Sequence, residues 1–197
     1  MNKIKSLLLS FVTQIQKIAQ MIGKPEPLIT DEQYFLIKKE ISEGDVLLSR
    51  ENYRLTALFI PGRWKHAAIY SNGYIYEAIK EGVKKTSLER FILSKDHLCH
   101  LKPMFAFHQS FINPYLNLQV GKKYDYNFNT SDQEAFYCSE LCAAGLEYAF
   151  IPTNEVKEFP IKPLERLGHF TVTPQDFYFL ATTSSKGLFV IKSEFNN

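Results

Sequence analysis

"KHAAIYSNGYIYEAI", residues 65–79, places two β-prone runs on either side of Asn72-Gly73. Asn-Gly suits the type I′ turn, whose two central residues take positive φ, so the stretch predicts a hairpin with a two-residue loop. Ser71 then lies opposite Tyr74, Ala68 opposite Glu77, and His66 opposite Ile79. Strand alternation puts His66, Ala68, Ile75, Glu77 and Ile79 on one side of the sheet. His66 and Glu77 become diagonal neighbours, roughly 7–8 Å apart along the backbone and within reach of long side chains. A carboxylate so placed can orient an imidazole. A three-residue loop would reverse the parity and part them.

Upstream of the hairpin, "GDVLLSR" (44–50) reads as a strand, and "LTALFI" (55–60) as an apolar segment cut off by Pro61-Gly62. "DEQYFLIKKEIS" (31–42) reads as a helix or a lead-in to that strand. Downstream, "TSLERFI" offers a capping box, Thr86 with Glu89, opening a short helix. "HLCHLKPMFAF" (97–107) looks like a strand, and "HQSFINPYLNLQVG" (108–121) like a helix ended by Gly121. "AFYCSELCAAGLEYAF" (135–150) reads as an amphipathic helix that begins at Cys138 and stops before Pro152. "TPQDFYF" has Thr173 as N-cap with Pro174 at the first helical position, and "GLFVIKSEF" (187–195) closes the chain as a strand. Strands interleaved with helices in meander order make the class α+β.

A chain of 197 residues, 45% hydrophobic, is ample for one domain with a real core and short for two. A net charge of +2 without a dense Lys/Arg run leaves no electrostatic footprint for nucleic acid. Three cysteines, at 99, 138 and 142, do not make a disulfide framework, and a reducing compartment is the simpler reading. Ile4, Leu8, Phe11, Ile15, Ile18 and Ile22 recur at helical spacing among Lys3, Lys5, Lys17 and Lys24. They predict an N-terminal amphipathic helix that packs on the body or touches anionic lipid. The apolar run 7–12 is too short and broken for a membrane span, and no small-residue cleavage site follows it. The expected division is therefore 1–27 as helix and linker and 28–197 as the domain, cytoplasmic or membrane-peripheral.

Cys138 carries the functional question. A helix N-terminus lowers a thiol's pKa, because free backbone N–H groups and the macrodipole favour the thiolate. The same N–H groups can stabilise a tetrahedral oxyanion. With an imidazole nearby to take and return a proton, Cys138 becomes a nucleophile, His66 its base and acid, and Glu77 the group that fixes the His66 tautomer. Singly, each residue has a plainer reading: a buried core cysteine, a satisfied core histidine, a solvent-facing strand glutamate. Their combination favours an enzyme. Cys142, one turn on among alanines, reads as core. His97, Cys99 and His100 alternate across a strand, and no second Cys/His pair has metal-site spacing, so no metal and no cofactor is expected. Glu140 in the first turn serves the helix dipole. His108 and His169 have no evident partner.

The blocks "GDVLLSR", "HAAIYSNGYIYEAIKEGV", "GKKYDYNF" and "FYCSEL", in that order over residues 43–150, resemble the permuted papain-like branch of the NlpC cysteine hydrolase superfamily. They are most similar to the YaeF/YiiX-like proteins and more distantly to lecithin:retinol acyltransferase-type enzymes. In that branch the histidine-bearing sheet precedes the cysteine helix, as His66, Glu77 and Cys138 do here. The resemblance implies an antiparallel, barrel-like sheet packed against the cysteine helix, with the same three residues in the catalytic positions. It also implies that Tyr124 lines the site or helps hold the oxyanion. The implied chemistry is cleavage of an amide or ester bond in an acyl, amino-acyl or peptide substrate through an acyl-cysteine, with an acyltransferase and a non-catalytic lipid or amino-acid binding module as alternatives. The sequence leaves the oligomeric state open.

Overall fold

The hairpin forms with the predicted turn. Asn72 and Gly73 have φ of 49° and 82°, and the ladder pairs Ser71 with Tyr74, Tyr70 with Ile75, and Ile69 with Tyr76. These strands, β2 (His66–Ser71) and β3 (Tyr74–Ile79), belong to a computed structural model that describes residues 28–50, 62–128, 134–166, 169–183 and 187–196. The expected helix within 1–27 and the segment 55–60 lie outside the described residues.

Around the hairpin the chain builds α1 (Asp31–Glu40), β1 (Val46–Arg50), β4 (Gly82–Ser87), α2 (Leu88–Ile92), β5 (His97–Pro103) and α3 (Gln109–Gln119). Then follow β6 (Lys123–Tyr124), β7 (Ala135–Phe136), α4 (Cys138–Ala149), β8 (Leu164–Arg166), β9 (His169–Thr171), α5 (Pro174–Thr182) and β10 (Phe189–Asn196). Thr30 caps α1 reciprocally: its hydroxyl accepts from Gln33 N–H, and Gln33 Oε1 accepts from Thr30 N–H at 2.9 Å. The box expected at Thr86 does not form. β4 runs on to Ser87, and Ser87 is the N-cap of α2, accepting from Arg90 N–H at 3.3 Å.

Six strands form one antiparallel sheet in the order β10-β5-β1-β2-β3-β4, and two short pairs, β6-β7 and β8-β9, stand apart from it. The sheet is open, which corrects the barrel-like expectation: β10 and β4 end it and do not pair with each other. The physical reason is that both faces are covered. On one face Val46, Leu48, Ala67, Ile69, Tyr76, Cys99 and Leu101 pack with Leu141, Cys142 and Leu146 of α4 and with Ile112 and Leu116 of α3. On the other, Leu47, Ala68, Ile75 and Leu98 pack with Tyr34 and Ile37 of α1 and with Leu88, Phe91 and Ile92 of α2. A barrel would turn one face inward and leave only the other for helices. The outer edge of β4 is instead met by the turn after α3, with Val83 N–H donating to Lys122 O and Gly121 N–H to Val83 O. Among the described residues no helix is long and apolar enough to cross a membrane.

Candidate functional site

The hairpin ladder ends at Ile69 and Tyr76, although β2 continues back to His66 and β3 on to Ile79. Bonding alternates along β2. Tyr70 exchanges with the β1 side through Asp45, so the N–H of Ala67 points toward β3, where the ladder has already ended. Cys138, the first residue of α4, stands in its place. The Ala67 N–H and the Ser139 N–H both bond to its sulfur. α4 lies on one face of the sheet, while His66 issues with the side chains of the other, its ring 6.1 Å from that of Phe91. Thiol and imidazole meet where the strands part.

His66 Nε2 bonds to Glu77 Oε2 at 2.9 Å, which fixes the ring and leaves Nδ1 for its hydrogen bond with Cys138. Glu77 is held in turn by the Thr86 hydroxyl, which donates to Oε1 at 3.0 Å. The diagonal contact expected from the two-residue turn is present. Thr86, which local sequence marks as a helix cap, serves the carboxylate instead. The pairing of Ile79 with Gly82 continues the register into β4 and brings Thr86 opposite Ile75, on the face that carries Glu77.

Burial opposes every charge here, and pairing overrides it. For Glu77, burial would raise the pKa, but the His66 bond and charge, then Lys95 and Thr86, bring it down to about 2. Burial would lower that of His66, yet its bonds to Cys138 and Glu77 lift it to about 9. Burial would raise that of Cys138, but the His66 bond and charge and the two backbone N–H groups bring it below the usual thiol value. The arrangement therefore favours a thiolate–imidazolium pair. Burial pushes the Cys99 and Cys142 thiols the other way, and Cys142 Sγ donates to the Cys138 carbonyl at 3.3 Å.

Tyr124 lies close enough to feel the Cys138 charge. Burial, that charge, and Tyr126, Asp125 and Tyr137 all push its phenol up, so the hydroxyl keeps its proton. The neighbours of Cys138 form a clamp that sequence reading did not identify. Ser139 Oγ donates to Val172 O at 2.7 Å, and Val172 N–H donates to Tyr137 Oη at 3.0 Å. Glu140 Oε2 accepts from Tyr137 N–H at 3.2 Å, a bond to the free N–H groups of the helix start. The "HLCH" stretch separates as alternation requires: Cys99 enters the core, while His100 Nε2 bonds to Asp45 Oδ2 at 2.7 Å, both fully buried. Two open recesses, one of about 440 Å³ beside Asn72 and one of about 270 Å³ beside Phe159, lie away from the thiol.

No curated protein matches the chain. Among solved structures it is similar to that of the metalloprotein yiiX from Escherichia coli O157:H7, with a TM-score of 0.58 and 17% identity. That match covers 79% of this chain and 98% of the other, and shows a shared fold. The family model described as "Permuted papain-like amidase enzyme, YaeF/YiiX, C92 family" matches residues 40–182, which contain the hairpin, α4 and everything between them. The chain belongs to this C92 family of permuted papain-like amidases and is a cysteine-dependent hydrolase.

Proposed function

We propose that Cys138 is the nucleophile, His66 the general base and acid, and Glu77 the tautomer-fixing carboxylate in hydrolysis of an amide bond in a small-molecule or peptide substrate. The observation that carries this is the His66 ring, bonded on one side to Glu77 and on the other to the thiol at a helix start. The Cys138 thiolate attacks the carbonyl carbon, and the π electrons move to oxygen as an oxyanion. Backbone N–H groups at the start of α4 and the Tyr124 hydroxyl are the candidate donors to that oxygen. Collapse breaks the C–N bond, the His66 imidazolium gives its proton to the leaving nitrogen, and an acyl-cysteine remains. Water then attacks the acyl carbon, losing its proton to His66, and the C–S bond breaks, releasing a carboxylic acid and restoring the Cys138 thiolate beside the His66 imidazolium.

The metal of the yiiX metalloprotein is a property of that protein. Among the described residues here, no three His, Cys, Asp or Glu side chains gather as a ligand set, and no step is assigned to a metal. The test is turnover of a panel of peptide and N-acyl amides. The parent is expected to hydrolyse at least one through a mass-detectable acyl adduct on Cys138. Cys138→Ala should lose about 10⁴-fold or more in turnover and form no adduct. Full turnover of that substrate by Cys138→Ala would overturn the assignment.

A further inference from the structure

Threonine is β-branched and has few choices of χ1 in a strand, so the backbone can aim its hydroxyl. Thr86 is next to last in β4. Glu77 faces Lys84 across the ladder, and Thr86 stands two residues further on, on the same side of the sheet. It reaches the carboxylate on the diagonal, as His66 does from β2. Imidazole, carboxylate and hydroxyl therefore form a row across β2, β3 and β4. Glu77 Oε2 bonds to the ring at 2.9 Å and Oε1 accepts from the Thr86 hydroxyl at 3.0 Å, one partner to each oxygen.

The residues on either side of Thr86 have other duties. Ser87 Oγ accepts from Arg90 N–H and caps α2, so the helix start does not call on the Thr86 hydroxyl. Lys84, although directly opposite Glu77, is exposed and lies 4.0 Å from Glu81. The helix that follows at once carries Phe91, whose ring lies 6.1 Å from that of His66. One junction thus supplies both the hydroxyl on the carboxylate and an apolar wall beside the imidazole.

Resting on the catalytic reading above, we propose that Thr86 is a positioning residue for the Cys138–His66–Glu77 cluster: its hydroxyl sets the plane of the Glu77 carboxylate, and the carboxylate sets which way the His66 ring faces the thiol. Glu77 is only 7% exposed, so little water is at hand to replace a missing donor. A carboxylate held at one oxygen can turn about its last single bond, carrying Oε2 away from Nε2. The ring is then free to turn as well, and Nδ1 leaves the sulfur. A thiolate that loses its imidazolium partner holds a proton more tightly and reacts more slowly below neutral pH.

The experiment is the rate of Cys138 alkylation by iodoacetamide at about pH 6, where an unassisted thiol is almost wholly protonated, with mass-spectrometric site assignment. Exchange of the His66 Nε2 proton with water is followed by NMR on the same proteins. Parent, Thr86→Val and Thr86→Ser are compared. Valine keeps the shape and strand preference of threonine and lacks the hydroxyl. In Thr86→Val, Cys138 should label about tenfold more slowly and the Nε2 proton should exchange about tenfold faster. Thr86→Ser should bring both rates back to within about threefold of the parent. Should Thr86→Val fail to fold, Thr86→Ala is read in the same way. A parent whose Cys138 labels no faster than Cys99 and Cys142 would overturn the catalytic reading and this one with it. A fast-labelling parent whose two rates stay in place in Thr86→Val would overturn this inference alone, because a merely structural threonine lowers the melting temperature without altering either rate.

Discussion

Two histidines in one sheet each bond to a carboxylate, and only one of them meets a thiol. His66 with Glu77 borders Cys138, whereas His100 with Asp45 is sealed against the face of the sheet covered by α1 and α2. Their responses to pH and substitution should differ accordingly. The folded-state pKa of His66, near 9, lies above its ordinary value of 6.5, so its contribution to stability is complete below about 6.5 and fades as pH rises through 9. The Glu77 value, near 2, lies below 4.5, so its contribution is present above about 4.5 and fades as pH falls toward 2. The Cys138 thiol, held below its ordinary value of 9, contributes in the opposite sense to His66. Its contribution is complete above about 9 and fades as pH falls through its folded value, so the two offset each other between about 6.5 and 9. Melting temperature should therefore fall as pH drops below about 4.5, and Glu77→Gln should flatten that acid flank. A scan of melting temperature against pH checks this. For the buried pair, His100→Ala leaves Asp45 Oδ2 with only the Ser42 N–H as donor, at 2.9 Å, and should cost about 1–3 kcal/mol by urea denaturation without shifting the acid limb of Cys138 alkylation.

At the scale of elements, α4 is held to the rest of the chain at its first turn. Tyr137 and Ser139, flanking the thiol, both engage the backbone of Val172. Ser139→Ala should cost about 0.5–1.5 kcal/mol in stability, and more in turnover than that loss predicts, because the clamp sets where the thiol sits. Gly82 has a comparable duty at the sheet edge. Its φ is +104°, and an added Cβ would lie 2.4 Å from the Lys122 carbonyl oxygen. Gly82→Ala should lower stability by about 1–3 kcal/mol or more, measured by thermal denaturation.

Elements also show what local sequence could reveal. Asn72-Gly73 fixed the register, and the register placed His66 near Glu77, because a tight turn determines side-chain parity for residues on either side of it. Thr86 and Val172 reach the site through long-range packing, which leaves no periodic mark in their own neighbourhoods. The openness of the sheet was hidden for the same reason. Which strand lies beside which depends on covering both faces, and β5 finds its outer partner in β10, more than 80 residues further along the chain.

For the whole molecule, that last pairing matters most. β10 completes the edge of the sheet, carries Phe189 into the core, and receives bonds to Glu194 from Tyr178 and Arg63. The family match ends at residue 182, before this strand begins. Removing residues 187–197 should expose β5 and the Phe189 site together, giving a protein that aggregates rather than one that is merely less active; size-exclusion chromatography and light scattering would read the difference. The same placement has a consequence during synthesis. β5 ends at Pro103 and its partner starts at Phe189, so a ribosome adding about 5–20 residues per second leaves that edge waiting roughly 4–17 s for the strand that covers it. All of the residues proposed for the chemistry are translated within that interval or before it, so the nascent chain carries the proposed nucleophile while its flank is still open to whatever binds β-edges in the cell.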